Sequence, residues 1–289
     1  MKRKSTLLGR LLLGKDGEKH LDRRLRRIER NQQTIMKFLV REKYQHSDIA
    51  APEFGSGGLG LFSKTGEDGD ILHVFAEIGV TNRQFVEIGI QDGSECNTAN
   101  LAFNFGWGGV LIEGSPEDAE AARRLYSRFP RVSVRHSFVT RDNAKALFKE
   151  CGAHPEADLF SLDIDGNDYW VWEALDDFRP RLVITECNSL FGPERCVTIP
   201  YKQDFHCGHP LHRGYFGASL GAMTTLAQRK GYALLGCSEQ TANAFFVRRD
   251  CLRGALREVT VQEAYRRNYL GRFSKADVEH VNAMELTDV

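Results

Sequence analysis

Two hydrophobic patterns repeat along the chain, and each predicts a different element. Short, nearly continuous apolar runs are typical of strands buried on both faces of a sheet. Between them lie stretches with apolar residues three and four apart, which predict amphipathic helices. The predicted strands are 84–89, 109–113, 132–138, 158–164, 181–187, 232–237 and 243–248. The predicted helices are 70–79, 95–105, 116–128, 141–150, 168–176, 218–230 and 259–268.

The order of these elements predicts the fold class. Strand and helix alternate through the body, which indicates an α/β fold with a doubly wound, mostly parallel sheet of seven strands and helices on both faces. The last two strands are joined only by residues 238–242. That connection is too short for a parallel crossover, so we expect a C-terminal antiparallel hairpin.

The first 50 residues form a separate segment. Alternate spacings of four and three make a heptad seam, formed by Leu21, Leu25, Ile28, Gln32, Ile35 and Leu39. Fewer than three heptads make a marginal lone helix, so this N-terminal helical leader is expected to form a homo-oligomer with its own copy or to pack on the body. We assign the leader to 1–50, a linker to 51–69, the main domain to 70–252 with a lid insertion at 189–217, and a C-terminal extension to 253–289.

Charge and cysteine usage narrow the classes of partner. The formal net charge of the 289 residues is zero, yet residues 1–45 hold 14 Lys and Arg against 5 Asp and Glu. A basic leader suits an anionic partner or a solvated helix, whereas the acidic body argues against nucleic acid. Seven scattered cysteines without a CxxC pair are typical of reduced thiols in a cytoplasmic protein. No apolar run approaches the roughly 18–20 residues of a membrane span, and 7–13 is too short for a signal peptide.

The first predicted strand ends in a glycine turn typical of nucleotide sites. Residues 85–93 read Phe-Val-Glu-Ile-Gly-Ile-Gln-Asp-Gly, so an apolar run stops at Glu87 and turns through Gly89 and Gly93. Glycines let the backbone approach a ligand where a Cβ would collide. The next strand ends at Glu113, where a carboxylate can accept both ribose hydroxyls of an adenosine. We therefore expect an adenosine-containing ligand at this edge of the sheet.

A nicotinamide dehydrogenase is the rival interpretation of this turn. Its fingerprint is G-x-G-x-x-G, and the spacing from Gly89 to Gly93 differs from it. The charge of Glu87 would also repel a pyrophosphate. S-adenosylmethionine has no phosphate and carries an ammonium and a sulfonium, so a carboxylate near the turn suits it better.

Four segments resemble, in order, motifs of the class I S-adenosylmethionine-dependent methyltransferases. They are 86–93, 111–113, 158–166 and 182–188. Within that superfamily, Glu113-Gly114-Ser115 and Asp163-Ile164-Asp165 are most similar to the FkbM-type and the metal-assisted natural-product and sugar O-methyltransferases. The resemblance covers about 80–250 and implies a Rossmann-like methyltransferase that acts on a hydroxyl of a small molecule or glycan. The first motif departs from the pattern, with Ile90 and Asp92 where many relatives carry Gly or Ala.

The resemblance implies a set of residues that bind the donor S-adenosylmethionine. Glu87 would lie near the amino end of its methionine part, Glu113 would bind the ribose, and Phe138 or Val139 would lie against adenine. The alternative for Glu87 and Glu113 is a helix-capping or solvated acid at a strand end. The full set is Glu87, Gly89, Asp92, Gly93, Glu113, Gly114, Phe138 and Asp163.

Oxygen side chains also follow two neighbouring strands. Asp163, Asp165, Glu186 and Asn188 would meet at one edge, and such clusters bind Mg²⁺ or Ca²⁺ rather than Zn²⁺. In metal-assisted O-methyltransferases the cation holds two oxygens of a diol or catechol and lowers the pKa of the attacking hydroxyl. The alternative is that Asp163 contacts the donor while Asp165 caps the helix that begins near Asp168.

Three histidines lie in the predicted lid insertion, which in this fold often covers the acceptor. His206, His209 and His212 have a side chain whose pKa suits a general base, and with Asp163 they are the candidate catalytic residues. They would otherwise be zinc ligands together with Cys196, although the spacing fits no standard pattern, or ordinary loop residues.

Two other functions remain as alternatives. The altered first motif and the heptad seam suit a non-catalytic module that keeps the nucleotide fold and assembles through its N-terminal helix. A nucleic-acid methyltransferase suits the basic leader, but the acidic body and the lack of an Asn-Pro-Pro-Tyr-like motif after the fourth strand argue against it.

Overall fold

In the computed structural model of the protein, the described residues are 60–63, 66–207, 213–238, 243–265 and 273–289. The predicted leader lies outside them, so its helix and its role in assembly stay predictions, as do the predicted domain boundaries. No helix in the described ranges is both long enough and apolar enough to cross a membrane.

Of the nine short strands in the described ranges, seven form the central sheet. Its order is β3-β2-β1-β4-β5-β8-β7, and every neighbouring pair is parallel except those that include β8. The predicted doubly wound sheet and its antiparallel hairpin are confirmed. The strands are β1 (Gln84–Ile88), β2 (Gly108–Glu113), β3 (Val132–His136), β4 (Leu159–Leu162), β5 (Leu182–Glu186), β6 (Val197–Thr198), β7 (Tyr232–Cys237), β8 (Asn243–Arg248) and β9 (Thr287–Asp288).

Helices cover both faces because each strand sends alternate side chains to opposite sides. Val86 and Ile88 of β1 pack in the core under the fourth to sixth helices, whereas Phe85 packs in the core under the first three. The helices are α1 (Glu67–Ile78), α2 (Ala99–Phe105), α3 (Pro116–Tyr126), α4 (Ala144–Glu150), α5 (Asp168–Ala174), α6 (Leu220–Arg229), α7 (Val261–Ala264) and α8 (Lys275–Asn282).

The chain builds the sheet outward in two directions from its middle. It runs from β1 to β2 and β3 on one side, then restarts at β4 and continues to β5 on the other. The loops after β1 and β4 therefore diverge at the carboxyl ends of the strands. In open α/β sheets this switch point is where ligands bind.

The lid insertion and the C-terminal extension form a third, smaller core that the sequence analysis did not predict. β6 pairs with β9 in an antiparallel two-stranded sheet, and the Tyr215 hydroxyl donates to the Glu285 carbonyl at 2.5 Å. Val281 of α8 is fully buried in this core beside Phe191 and Phe205 of the insertion. The end of the chain therefore holds the lid in place.

A buried ion pair lies at the other end of the central strands, where β4 and β5 begin. Asp158 precedes β4, and its Oδ1 accepts from Nη1 of Arg181 at 2.8 Å and from the Thr81 hydroxyl at 2.6 Å. The backbone N–H groups of Asn82 and Arg83 donate to its Oδ2. Burial opposes ionisation of Asp158, but the hydrogen bonds from Thr81, Arg181 and the backbone outweigh it and lower the pKa.

We expect Asp158→Asn to lower the free energy of unfolding near neutral pH by an amount that shrinks in acid. A carboxyl whose folded pKa is depressed stabilises the fold above its unfolded pKa of about 3.9, and this contribution is lost as pH falls through the folded pKa. Urea unfolding from about pH 7 down to about pH 3 measures the difference. The exposed Asp176 pairs with Lys145 and gives a control, Asp176→Asn, with an expected effect under about 1 kcal/mol. A loss for Asp158→Asn that is the same at every pH would contradict the prediction.

Candidate functional site

The turn after β1 touches the backbone after β4. Gly89 has a φ of +83°, and a Cβ built on it would lie 1.6 Å from the carbonyl oxygen of Asp163. Gln91 in this turn and Asp165 in the turn after β4 both have a backbone φ of +52°, which is rare for residues other than glycine. Backbone strain of this kind clusters at ligand sites, and here it lies on both sides of the switch point.

Glu87 holds the chain between the glycine turn and α2. Its Oε1 accepts from the Asn97 N–H at 2.8 Å, and its Oε2 accepts from the Thr98 N–H at 2.9 Å and the Thr98 hydroxyl at 2.6 Å. Burial raises the pKa of Glu87 in spite of these bonds. The structure thus places Glu87 as a cap beneath the turn, and its predicted contact with the amino end of a donor stays a prediction.

Gly93 and Asp92 shape the second half of the turn. A Cβ on Gly93, whose φ is +75°, would lie 2.8 Å from the ring of Tyr126, and the Tyr126 hydroxyl donates to the Gly93 carbonyl at 3.0 Å. Asp92 is exposed, and its Oδ1 accepts from the Ser94 N–H at 3.0 Å and from the Ser94 hydroxyl. Both residues lie in the turn, where the sequence predicted them.

Glu113 lies at the end of β2 beside this turn. Its Oε2 accepts from the Gln91 N–H at 2.7 Å, and its Oε1 accepts from the Ser115 N–H at 2.8 Å. A carboxylate offers about four lone-pair sites, so each oxygen keeps capacity for a further donor. The structure therefore leaves Glu113 anchored by the backbone and still able to accept two hydroxyl groups.

An exposed aromatic ring lies next to Glu113. A Cβ on Gly114 would be 3.3 Å from the ring of Phe138, so the two strand ends are in close contact. Phe138 is 42 % exposed, whereas Val139 is 6 % exposed and belongs to the core. Among the described residues, Val80 is the other exposed large apolar side chain, and it lies at the opposite end of β1. Phe138 is thus a partly exposed aromatic surface close to an acceptor for hydroxyl groups.

Three of the predicted oxygen side chains converge at the ends of β4 and β5. One carboxylate oxygen from each of Asp163, Asp165 and Glu186 lies within 4.8 Å of the others. The Glu186 Oε2 atom is buried and has no hydrogen-bond partner among the described residues. Burial, followed by the charges of Asp163 and Asp165, raises the pKa of Glu186 well above its ordinary value. We call these three residues the acid cluster.

Asp168, to which the sequence analysis gave no role of its own, shapes the acid cluster from below. It is fully buried at the start of α5 and accepts from the N–H of Ile164 at 2.9 Å and of Gly166 at 3.0 Å. Burial raises its pKa to about 6. The expected alternative, in which Asp165 caps this helix, does not match the structure: Asp165 is exposed and Asp168 itself holds the turn.

Asn188 is the predicted ligand that the structure uses elsewhere. Its Nδ2 donates to the carbonyls of Gly214 at 2.8 Å and Phe216 at 2.9 Å, and its Oδ1 accepts from the Leu190 N–H at 3.0 Å. Both N–H groups of this amide and one of the two lone pairs of its oxygen are therefore used within the lid. These bonds anchor Asn188 in the lid, and its role as a cation ligand stays a prediction.

The lid runs from the acid cluster toward Phe138. Phe205 lies over Gly166, where a Cβ would be 2.6 Å from its ring, and the ring centroid of His206 is 5.4 Å from that of Phe138. Burial and the nearby charges of Asp165 and Asp163 raise the pKa of the Cys207 thiol to about 11. Of the three predicted histidines, His206 thus lies beside the ring of Phe138. His209 and His212 lie outside the described residues and stay predictions.

Comparison with known proteins gives likenesses of structure only. No family model matches the sequence, and no curated protein matches it. The O-methyltransferase from Bacillus cereus in complex with SAH is 16 % identical, with 73 % of this chain and 90 % of that chain covered and a TM-score of 0.43. The N-terminal domain of EvdMO1 with SAH bound is 13 % identical, with coverages of 65 % and 81 % and a TM-score of 0.40.

The mitomycin 7-O-methyltransferase MmcR is similar over a smaller share of its length. It is 19 % identical, with 57 % of this chain and 48 % of MmcR covered and a TM-score of 0.35. All three TM-scores lie below 0.5, so the functional proposal rests on the residues of this chain.

Proposed function

We propose that the protein is an S-adenosylmethionine-dependent methyltransferase that acts on a hydroxyl oxygen of a small molecule or glycan. The observation that supports this most is that Phe138 lies against Gly114, the residue after Glu113, while Glu113 holds the turn that follows Gly89. Ribose hydroxyls would donate to the Glu113 carboxylate, and adenine would stack on the exposed ring of Phe138. The close contact between Gly89 and the Asp163 carbonyl holds together the two loops of the switch point, where a donor would lie.

When bound, S-adenosylmethionine supplies a methyl group that its sulfonium already activates for displacement. The chain must then hold donor and acceptor at near-attack distance and remove a proton from the acceptor hydroxyl. Asp163 follows β4 at the switch point and is our candidate for contact with the reacting groups. His206, His209 and His212 are the candidate bases, and His206 is the one placed beside Phe138.

The acid cluster fits a divalent cation. A buried carboxylate oxygen without a hydrogen-bond partner is costly, and two further carboxylates close by increase the cost unless a positive charge compensates. Oxygen ligands of this kind suit Mg²⁺ or Ca²⁺. The cation would hold the acceptor oxygens at the ends of β4 and β5 and favour ionisation of the attacking hydroxyl.

We expect S-adenosylhomocysteine (SAH), the demethylated product, to bind with micromolar affinity, and Phe138→Ala to weaken that binding about tenfold. Stacking of a base on an aromatic ring contributes about 1–3 kcal/mol. Isothermal titration calorimetry of the purified protein measures both affinities. Val80→Ala removes an equally exposed apolar side chain at the other end of β1 and should leave the affinity unchanged. A protein that binds neither SAH nor S-adenosylmethionine at submillimolar concentration would refute the proposal.

The non-catalytic alternative depends on the leader, which lies outside the described residues. Within the part of the chain that the structure covers, no observation favours it over the methyltransferase, so we propose no second function.

A further inference from the structure

A second side-chain amide lies on β8, the strand that pairs with the end of β5. Asn243 is the first residue of β8 and pairs directly with Glu186, the last residue of β5. Directly opposite residues of an antiparallel pair point to the same face, with Cβ atoms about 4.5–5.5 Å apart. The Ser238 N–H donates to the Asn243 carbonyl at 2.9 Å, which fixes the backbone at the end of the hairpin. The side chains of Asn243 and Glu186 therefore start from neighbouring Cβ atoms on the same face of the sheet.

Glu67 of α1 orients the side-chain amide of Asn243. The Asn243 Nδ2 donates to the Glu67 Oε1 at 2.8 Å, and both side chains are buried, with exposures of 7 % and 1 %. An amide nitrogen donates and a carboxylate accepts, so the nitrogen is directed to Glu67. The Asn243 Oδ1 is directed away from Glu67.

The two paired residues each hold an unsatisfied oxygen. The Asn243 Oδ1 and the Glu186 Oε2 are both buried, and neither has a hydrogen-bond partner among the described residues. Buried polar atoms are nearly always partnered, so two acceptors on directly paired residues call for a proton or a cation between them. The two further carboxylates of the acid cluster favour a cation over a proton. An amide oxygen with three carboxylates is a ligand set that Mg²⁺, Mn²⁺ and Ca²⁺ accept.

We propose that the Asn243 Oδ1 is the fourth oxygen ligand of a divalent-cation site formed with Asp163, Asp165 and Glu186, and that Glu67 is a positioning residue that orients this amide. The inference rests on the cation part of the proposed function and goes beyond it. Asn243 would supply the amide oxygen that the sequence suggested from Asn188, whose N–H groups are used within the lid.

The test is a titration of the full chain with Mn²⁺ alone, in which isothermal titration calorimetry measures the affinity. We expect Asn243→Ala and Glu67→Gln each to weaken Mn²⁺ binding at least about tenfold, since loss of a partner that orients a ligand typically weakens metal affinity 10- to 100-fold. Asn104→Ala is the matched control. It removes an amide of α2 that bonds to Asn100, and it should leave Mn²⁺ affinity unchanged.

A double variant separates ligation from general damage to the fold. Glu67→Gln combined with Asn243→Asp reverses the direction of the hydrogen bond, keeps the net charge of the pair and still offers an oxygen to the cation. We expect this variant to recover most of the affinity that Glu67→Gln loses. Circular dichroism melts show which variants are folded, and if Asn243→Ala is not, Glu67→Gln and the double variant supply the test.

A parallel titration with SAH distinguishes the two proposals. If SAH binds but Asn243→Ala holds Mn²⁺ as tightly as the wild type, or the wild type binds no Mn²⁺, the inference is overturned and the methyltransferase proposal stands. If Asn243→Ala loses Mn²⁺ while the wild type binds neither SAH nor S-adenosylmethionine, the cation site stands and the methyltransferase proposal fails.

Discussion

Replacing Gly89 with alanine is expected to lower the free energy of unfolding by about 3 kcal/mol and to abolish SAH binding. The new Cβ would lie 1.6 Å from the carbonyl oxygen of Asp163, which is a backbone atom and cannot rotate aside. Separating the two strand ends costs about 1–3 kcal/mol, and the φ of +83° adds about 1–2 kcal/mol for a side chain. The turn must move, and Gln91, which donates to Glu113, moves with it.

Gly231 provides a matched control for this prediction. Its φ is +84°, nearly that of Gly89, but a Cβ on it would meet no atom within 4 Å. Gly231→Ala should therefore cost only the backbone term of about 1–2 kcal/mol and leave SAH binding intact. Urea unfolding and calorimetric titration measure the two effects. Equal losses of stability in both variants would show that the close approach of the two strand ends is not what requires glycine at position 89.

Replacing Glu113 with alanine is expected to weaken SAH binding about 100-fold, or about 2.7 kcal/mol. Hydrogen bonds to a charged group contribute about 1.5–3 kcal/mol each, and the change removes the proposed acceptor of both ribose hydroxyls. It also leaves the N–H groups of Gln91 and Ser115 without their present acceptor, so the turn loses its anchor.

Two further variants sharpen the interpretation of Glu113→Ala. Glu113→Gln keeps one acceptor oxygen and should fall between the wild type and alanine. Glu117→Ala, an exposed acid in the first turn of α3, has the same loss of charge and should change the affinity by less than about twofold. Isothermal titration with SAH measures all three. Wild-type affinity in Glu113→Ala would remove Glu113 from the proposed donor site.

The seven strands of the central sheet follow from the sequence to within one or two residues at most ends, as does their mostly parallel direction. Burial on both faces of a sheet requires apolar residues in succession, and that requirement is visible without any tertiary information. The antiparallel position of β8 also follows, because the short connection at 238–242 excludes a crossover. The convergence of the acids that end the strands is also predictable, because parallel strands bring their carboxyl ends to one side of the sheet.

Helix starts were less accurate because distant side chains set them. The helix predicted at 95 begins at Ala99, and Glu87 takes the N–H groups of Asn97 and Thr98 just before it. The polar C-terminal extension also gave no signal of its role. β9 pairs with β6, about 90 residues earlier in the chain, and no local pattern encodes a partner at that distance.

The choice between two amides shows most clearly what only the tertiary structure decided. By sequence alone Asn188 is the natural oxygen ligand, because it lies two residues after Glu186, the acid that ends β5. The lid carbonyls of Gly214 and Phe216 take its amide, whereas the register of β5 with β8 places Asn243 opposite Glu186. The sequence determined which residue types end each strand, because burial and connection length act locally. Register and lid packing determined which of them meet, because those depend on contacts between segments far apart in the chain.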